Sequence, residues 1–144
     1  MNNIIKKFVI TISTLSLILT LFKPVFADEI TPYYNNTSTV SGSLNINSTG
    51  LTTIQYRYIG IPDVTTKAVI TSYLEKKTLG LFWRRVDIGN TNDEWVDTIN
   101  KSSYSGSRTH QLSSTGKYRV TIVYTIYGSG GSADEITKQY ESTY

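Results

Sequence analysis

From Ser43 to the end of the chain, apolar and polar positions alternate with a period of two. Leu44 and Ile46 share one side of a short segment. After a turn at Ser48-Thr49-Gly50, Thr52, Ile54, Tyr56 and Tyr58 oppose Thr53, Gln55 and Arg57. Between Lys67 and Lys77 one side carries Ala68, Ile70, Ser72 and Leu74. In the stretch ending at Gly128 it carries Tyr118, Val120, Ile122, Tyr124 and Ile126. This spacing belongs to half-buried strands, and the β-branched and aromatic residues that fill it favour a pleated surface. Shorter strands are predicted in LFWRRVDIG, over Trp95–Ile99 and Ser107–Ser113, and a final one over Asp134–Tyr144. Pro62-Asp63, the polar run NTNDE, a Ser/Gly-rich stretch from Asn100 to Gly106 and the glycines at 128–131 read as loops. The expectation is an all-β chain of about seven to eight strands in one antiparallel β-sandwich.

Two segments share a layout. LNINSTGLTTIQYRYIG and QLSSTGKYRVTIVYTIYG each run short strand, Ser-Thr-Gly turn, long alternating strand with tyrosines, then glycine. They read as two related strand-turn-strand pairs in which Thr-Gly supplies the turn. In immunoglobulin-like sandwiches a tyrosine follows a glycine turn at the start of the sixth strand, two residues before a buried position. Gly116-Lys117-Tyr118-Arg119-Val120 has that order, and Trp83 on an earlier strand is the candidate for the central buried aromatic.

The first 27 residues follow a different pattern. Lys6 and Lys7 precede an apolar run from Phe8 to Phe22, Lys23-Pro24 ends it, and Val25-Phe26-Ala27 offers a small residue at the end of the segment. This is the layout of an export signal cleaved between Ala27 and Asp28, and the apolar run is shorter than the roughly 20 residues a membrane-spanning helix needs. The predicted organisation is a signal-peptide helix over 1–27, a polar arm over 28–40 and the sandwich over 41–144. A secreted, extracellular location follows.

Export changes the charge balance. The whole chain carries a net +3, but Lys6, Lys7 and Lys23 leave with the signal. The remaining 11 Lys and Arg then match 11 Asp and Glu. Neutrality argues against nucleic acid and against a membrane surface as partners after cleavage. No cysteine is present, which excludes thiol catalysis and cysteine-bound metals, and the length suffices for an apolar core without disulfides.

The chain resembles the small single-domain secreted proteins of Gram-positive bacteria built on one cysteine-free immunoglobulin-like or fibronectin-like sandwich. YLEKKTLGLFWRRV and STGKYRVTIVYTIYG carry the resemblance, over about residues 40–144. It implies fold and location; the group has no assigned activity and no catalytic residues to carry over.

Candidate chemistry is sparse. His110 is the single histidine, and no Gly-x-Ser-x-Gly elbow, phosphate loop or His-Glu-x-x-His accompanies it, so no enzyme is expected. Asp87, Asp93, Glu94 and Asp97 are the acids a hydrolase would need, yet they crowd one loop and its flanks. Asp87, Asn90, Asn92, Asp93 and Asp97 offer hard oxygen ligands for Ca²⁺. The same residue types are the ordinary currency of turns, and no cofactor is otherwise indicated. Among the aromatics, Trp83, Trp95 and Tyr127 could form an exposed row that stacks on sugar rings, the alternative being packing at the core or its rim. The functional expectation is a non-catalytic extracellular binding or surface module. A carbohydrate- or cell-wall-binding module and a self-assembling structural protein are the alternatives. The partner is thus a cell-wall glycan or another extracellular protein.

Overall fold

The computed structural model describes residues 33–144, so the expected export segment 1–27, its expected cleavage point between Ala27 and Asp28, and residues 28–32 of the expected polar arm lie outside the described residues. The alternating segments become eight strands: β1 (Thr37–Ile46), β2 (Leu51–Gly60), β3 (Thr65–Thr78), β4 (Phe82–Arg85), β5 (Trp95–Ile99), β6 (Ser103–Gln111), β7 (Lys117–Gly128) and β8 (Asp134–Thr143). They pair antiparallel in two sheets. One sheet has the order β1-β2-β6. The other runs β4-β3-β7-β8, with β5 paired to the same edge of β3 as β4, nearer the start of that strand. With β1, β2 and β6 against β3, β7 and β8, this is an immunoglobulin-like sandwich in which β4 and β5 together finish the edge of β3.

The predicted faces hold. Ile54, Tyr56 and Tyr58 of β2 meet Ala68, Ile70 and Leu74 of β3 and Val120, Ile122, Tyr124 and Ile126 of β7, all buried. The burial of each ring leaves a phenol to be satisfied, because an unpaired buried hydroxyl costs about 1–3 kcal/mol. The chain solves this at the rim: Tyr58 donates to the Lys101 carbonyl (2.6 Å), Tyr124 to Ser41 (2.7 Å) and Tyr118 to Ser114 (2.6 Å). The Tyr118 bond, reaching four residues back from the start of β7, is the tyrosine corner expected from Gly116-Lys117-Tyr118.

Burial holds the phenols of Tyr56, Tyr58 and Tyr124 above their usual value of 10.0, with the Asp97 carboxylate adding to the effect on Tyr56. Below pH 10 these phenols are neutral in both folded and unfolded chains, and their contribution is complete. Above it the unfolded chain ionises while the folded one does not, so stability falls by up to about 1.4 kcal/mol per pH unit for each phenol. Titration followed at 295 nm should therefore show an early reversible group of tyrosines. The remainder should appear together with loss of the near-ultraviolet circular dichroism signal. A single smooth titration with no linked unfolding would contradict this account.

Three expectations need correction. Trp83 is not the central core aromatic. It pairs with Lys77, and the odd-numbered residues of β3 point away from the core that Ala68, Ile70 and Leu74 build, so Trp83 lies half-buried on the outer face. Residues 37–40 of the expected polar arm are strand. Strand β1 starts at Thr37, and the Asn35 and Asn36 amides each donate to Asp134 at 2.8 Å. The Ser/Gly-rich stretch is not all loop, because Ser103–Gly106 pair with Tyr56–Ile59 as the first half of β6.

The repeated layout is local only. The first copy is a hairpin within one sheet, whereas the second crosses from β6 to β7 in the other. The two glycine turns nevertheless meet: Tyr144 exchanges both backbone hydrogen bonds with Gly116, and its ring sits where a Cβ on Gly50 would fall.

Candidate functional site

The loop between β4 and β5 uses its polar groups on itself. The Asp87 carboxylate accepts from the Gly89 amide (2.8 Å) and Asp93 from Ile88 (3.2 Å). The Asn90 amide group exchanges bonds with the Glu94 backbone (2.8 and 3.2 Å). The carbonyls of Asn92 and Asp93, which a calcium ion would take, accept instead from the Arg85 guanidinium (3.2 and 3.3 Å), and Glu94 lies 3.6 Å from the same group. Asp97 is elsewhere. It pairs with Ile70, so it points between the sheets, where Tyr56 and Arg108 both donate to its carboxylate. The five oxygen donors therefore do not converge, and no group of three or more His, Asp or Glu suited to a metal gathers among the described residues. The four acids of a notional hydrolase are each committed to a backbone amide, a phenol or a cation.

The three aromatics do not form a row either. Trp83 stands opposite Lys77, and Tyr127 opposite Lys67. Ten residues of β3 separate those partners, about 33 Å along the strand. Trp83 is covered by the Arg119 guanidinium (4.4 Å from the ring centre) and the Lys77 ammonium (5.6 Å), and Tyr127 lies under Lys67 (5.4 Å). Trp95 faces the core rim and meets His110 edge-on at 6.2 Å. Each aromatic is thus occupied by a cation or by packing. The terminal strand β8 is an edge of its sheet, and Lys138 occupies an inward-facing position there opposite Ile122 yet stays exposed, a charge that disfavours pairing by another chain.

What does converge lies at the end of the sandwich where β3 turns into β4. The Leu81 amide closes the turn on the Thr78 carbonyl (3.1 Å), and both central residues take positive φ, Leu79 at 52° and Gly80 at 68°. Glycine adopts this freely, but leucine pays about 1 kcal/mol and is seldom placed there. Lys76 and Arg84 face each other just below the turn. Together with Arg85, and with His110 and Ser114 contributed from β6 and the connection after it, they line a groove of about 420 Å³. Asp87 is the one carboxylate on its wall. Lys76 donates to the Ser114 hydroxyl at 2.7 Å and stands 5.7 Å above the Tyr118 ring, which fixes its ammonium at the mouth.

Behind this end, on the outer face, Arg119 pairs with Glu75 (2.8 Å) and Lys117 with Glu141, while Lys76, Lys77 and Arg84 have no carboxylate within ion-pair distance among the described residues. A guanidinium, an ammonium and hydroxyls around an open groove can hold a phosphate, sulfate or carboxylate by charge-assisted hydrogen bonds. The sequence does carry part of this site, since KKTLGLFWRR holds four cations and no acid. The remainder, His110 and Ser114, arrives through the other sheet. A second depression of about 600 Å³ lies on the outer face of the three-stranded sheet, between small hydroxyls such as Ser41, Ser43, Ser105 and Ser107.

No family model matches the chain, and no curated protein matches it. Among solved structures it is similar to the CARDB domain of the PF1109 protein from Pyrococcus furiosus, crystallised in complex with di-metal ions. The TM-score is 0.42 and the identity 8%, over 81% of this chain and 95% of that one.

Proposed function

We propose that this chain is a secreted, non-catalytic binding module of a Gram-positive bacterium that takes an anionic partner of the cell envelope in the groove at the β3–β4 end. The observation that carries the reading is the charge on that groove, where Lys76 and Arg84 have no carboxylate partner while Arg85 is paired with Glu94, in a chain that is neutral once the export segment is gone. Cations held apart from acids cost folding energy through mutual repulsion, so their segregation speaks for a ligand that supplies the opposite charge. A phosphate-bearing wall polymer has that charge and, being extended, suits an open groove. Binding without chemistry is supported by the commitment of Asp87, Asp93, Glu94 and Asp97 to local partners and by the packing of His110 against Trp95.

Co-sedimentation of residues 28–144 with isolated Gram-positive walls tests this, before and after extraction of their anionic polymers. Saturable pelleting is expected on intact walls only. It should weaken about tenfold in the Lys76→Gln/Arg84→Gln double variant and fall steeply between 50 and about 300 mM salt. Pelleting that ignores both the extraction and the substitutions would remove the groove as the binding site.

A further inference from the structure

The turn above the groove presents what a soluble surface normally hides. Leu79, Leu81 and Phe82 are 85%, 73% and 62% exposed, contiguous, and at the tip of a hairpin. That tip overhangs the sandwich, since pairing of β3 with β7 ends at Lys76 opposite Tyr118. Nothing in the fold requires this arrangement. An Asn-Gly pair would make the same turn without the strain at Leu79, and polar residues at 81 and 82 would leave the core untouched. Strain retained together with exposed apolar side chains marks a surface shaped for something outside the molecule.

We infer that the β3–β4 hairpin is a docking finger for an anionic phospholipid bilayer, its tip entering the interface while the cations below it meet lipid phosphates. The inference rests on the groove being an anion site and adds an apolar phase to the ligand. Two observations favour a bilayer over a protein pocket. The apolar surface is convex and narrow, which suits a deformable interface. The charge order also matches a leaflet read from the inside out: apolar Leu79, Leu81 and Phe82 first, Trp83 and Lys77 side by side next, and then Lys76 opposite Arg84. Indole rings and cations take the same order at membrane boundaries. Neutrality of the exported chain, which argued against a membrane surface, averages over a distribution that this end does not share. Basic side chains near an anionic surface act locally, each strengthening binding by roughly fivefold.

Flotation of residues 28–144, which contain the entire core, with vesicles of phosphatidylglycerol and phosphatidylcholine provides the test, with pure phosphatidylcholine vesicles and free glycerol phosphate as the other arms. Binding to the anionic vesicles is expected, at least tenfold weaker to the neutral ones, and little displaced by glycerol phosphate. Leu81→Ser/Phe82→Ser should reduce it at least tenfold with the melting temperature and wall pelleting unchanged. In a Trp95→Phe background, Trp83 should shift its emission to shorter wavelength on vesicles. Wall pelleting without flotation overturns the finger and leaves the groove; absence of both overturns the two together. Flotation indifferent to Leu81→Ser/Phe82→Ser also overturns it, as does an oligomer that these substitutions convert to monomer, since the tip would then be a contact between copies.

Discussion

Replacing Asp134 with alanine is expected to lower the unfolding free energy by about 3–4 kcal/mol. Its buried carboxylate accepts the amides of Asn35 and Asn36, both at 2.8 Å, and Asn36 is fully buried. The Asn36 side chain in turn donates to the Ser132 carbonyl (2.8 Å) and accepts from the Gly130 amide (3.2 Å). Its backbone carbonyl accepts from Ile61 and from the Thr65 hydroxyl. One asparagine thus ties the start of β1 to the β2–β3 and β7–β8 connections. Alanine at 134 leaves two amides without an acceptor, each costing about 1–3 kcal/mol where water cannot reach. Asparagine at the same position keeps one acceptor and should cost about half as much. Urea unfolding followed by tryptophan fluorescence measures both, and a loss under about 1 kcal/mol for alanine would mean the hub is not where the domain is held.

Gly106→Ala should have an effect of similar size, about 2–4 kcal/mol, for a different reason. Gly106 sits on β6 opposite Tyr56, and a Cβ there would fall 2.6 Å from the Tyr56 ring and 2.7 Å from that of Tyr104. The Tyr56 ring cannot retreat without loss, because its hydroxyl is bound to Asp97, whose other oxygen holds Arg108. Overpacking alone accounts for about 1–3 kcal/mol, and the remainder comes from loosening the Asp97 clasp that ties β5 to the facing sheet. That clasp is partly solvated, so its share is the smaller. Shortening the ring should relieve the clash. The Gly106→Ala/Tyr56→Leu double variant is therefore expected to cost at least about 1 kcal/mol less than the two single changes summed, and strict additivity would place the damage elsewhere.

Much of the fold could be read from the alternation, because the side-chain period of a strand ties every second residue to one environment. The buried set of β2, β3 and β7 followed from it, while the corner at Tyr118 followed from the glycine turn just before that tyrosine. Trp83 was misplaced because periodicity shows which residues share a face without saying which face of a short, polar strand turns inward; Lys77 across the ladder decides that. Ser103–Gly106 resembled a loop because glycine and serine are small, yet small residues are what the Tyr56 ring requires beside it. The oxygen-rich run from Asp87 to Asp97 was visible, but its use was not. Whether an aspartate caps a neighbouring amide, as Asp87 and Asp93 do, or reaches another sheet, as Asp97 does, depends on strand register. Half the groove was written in one decapeptide and half in residues more than twenty positions away, and only the sandwich brings them together.

The ends of the described chain add a mechanical property. Asn36 is anchored beside the β7–β8 connection, whereas Tyr144 is paired with Gly116 beside the β1–β2 turn, at the opposite end of the sandwich. Force applied between Tyr33 and Tyr144 therefore runs along the strands and across hydrogen bonds that lie perpendicular to it. Those bonds share the load and must shear together, where a hairpin pulled open at one end would lose them singly. A domain held from one end while its other end grips a surface would in this geometry be loaded along its most resistant direction.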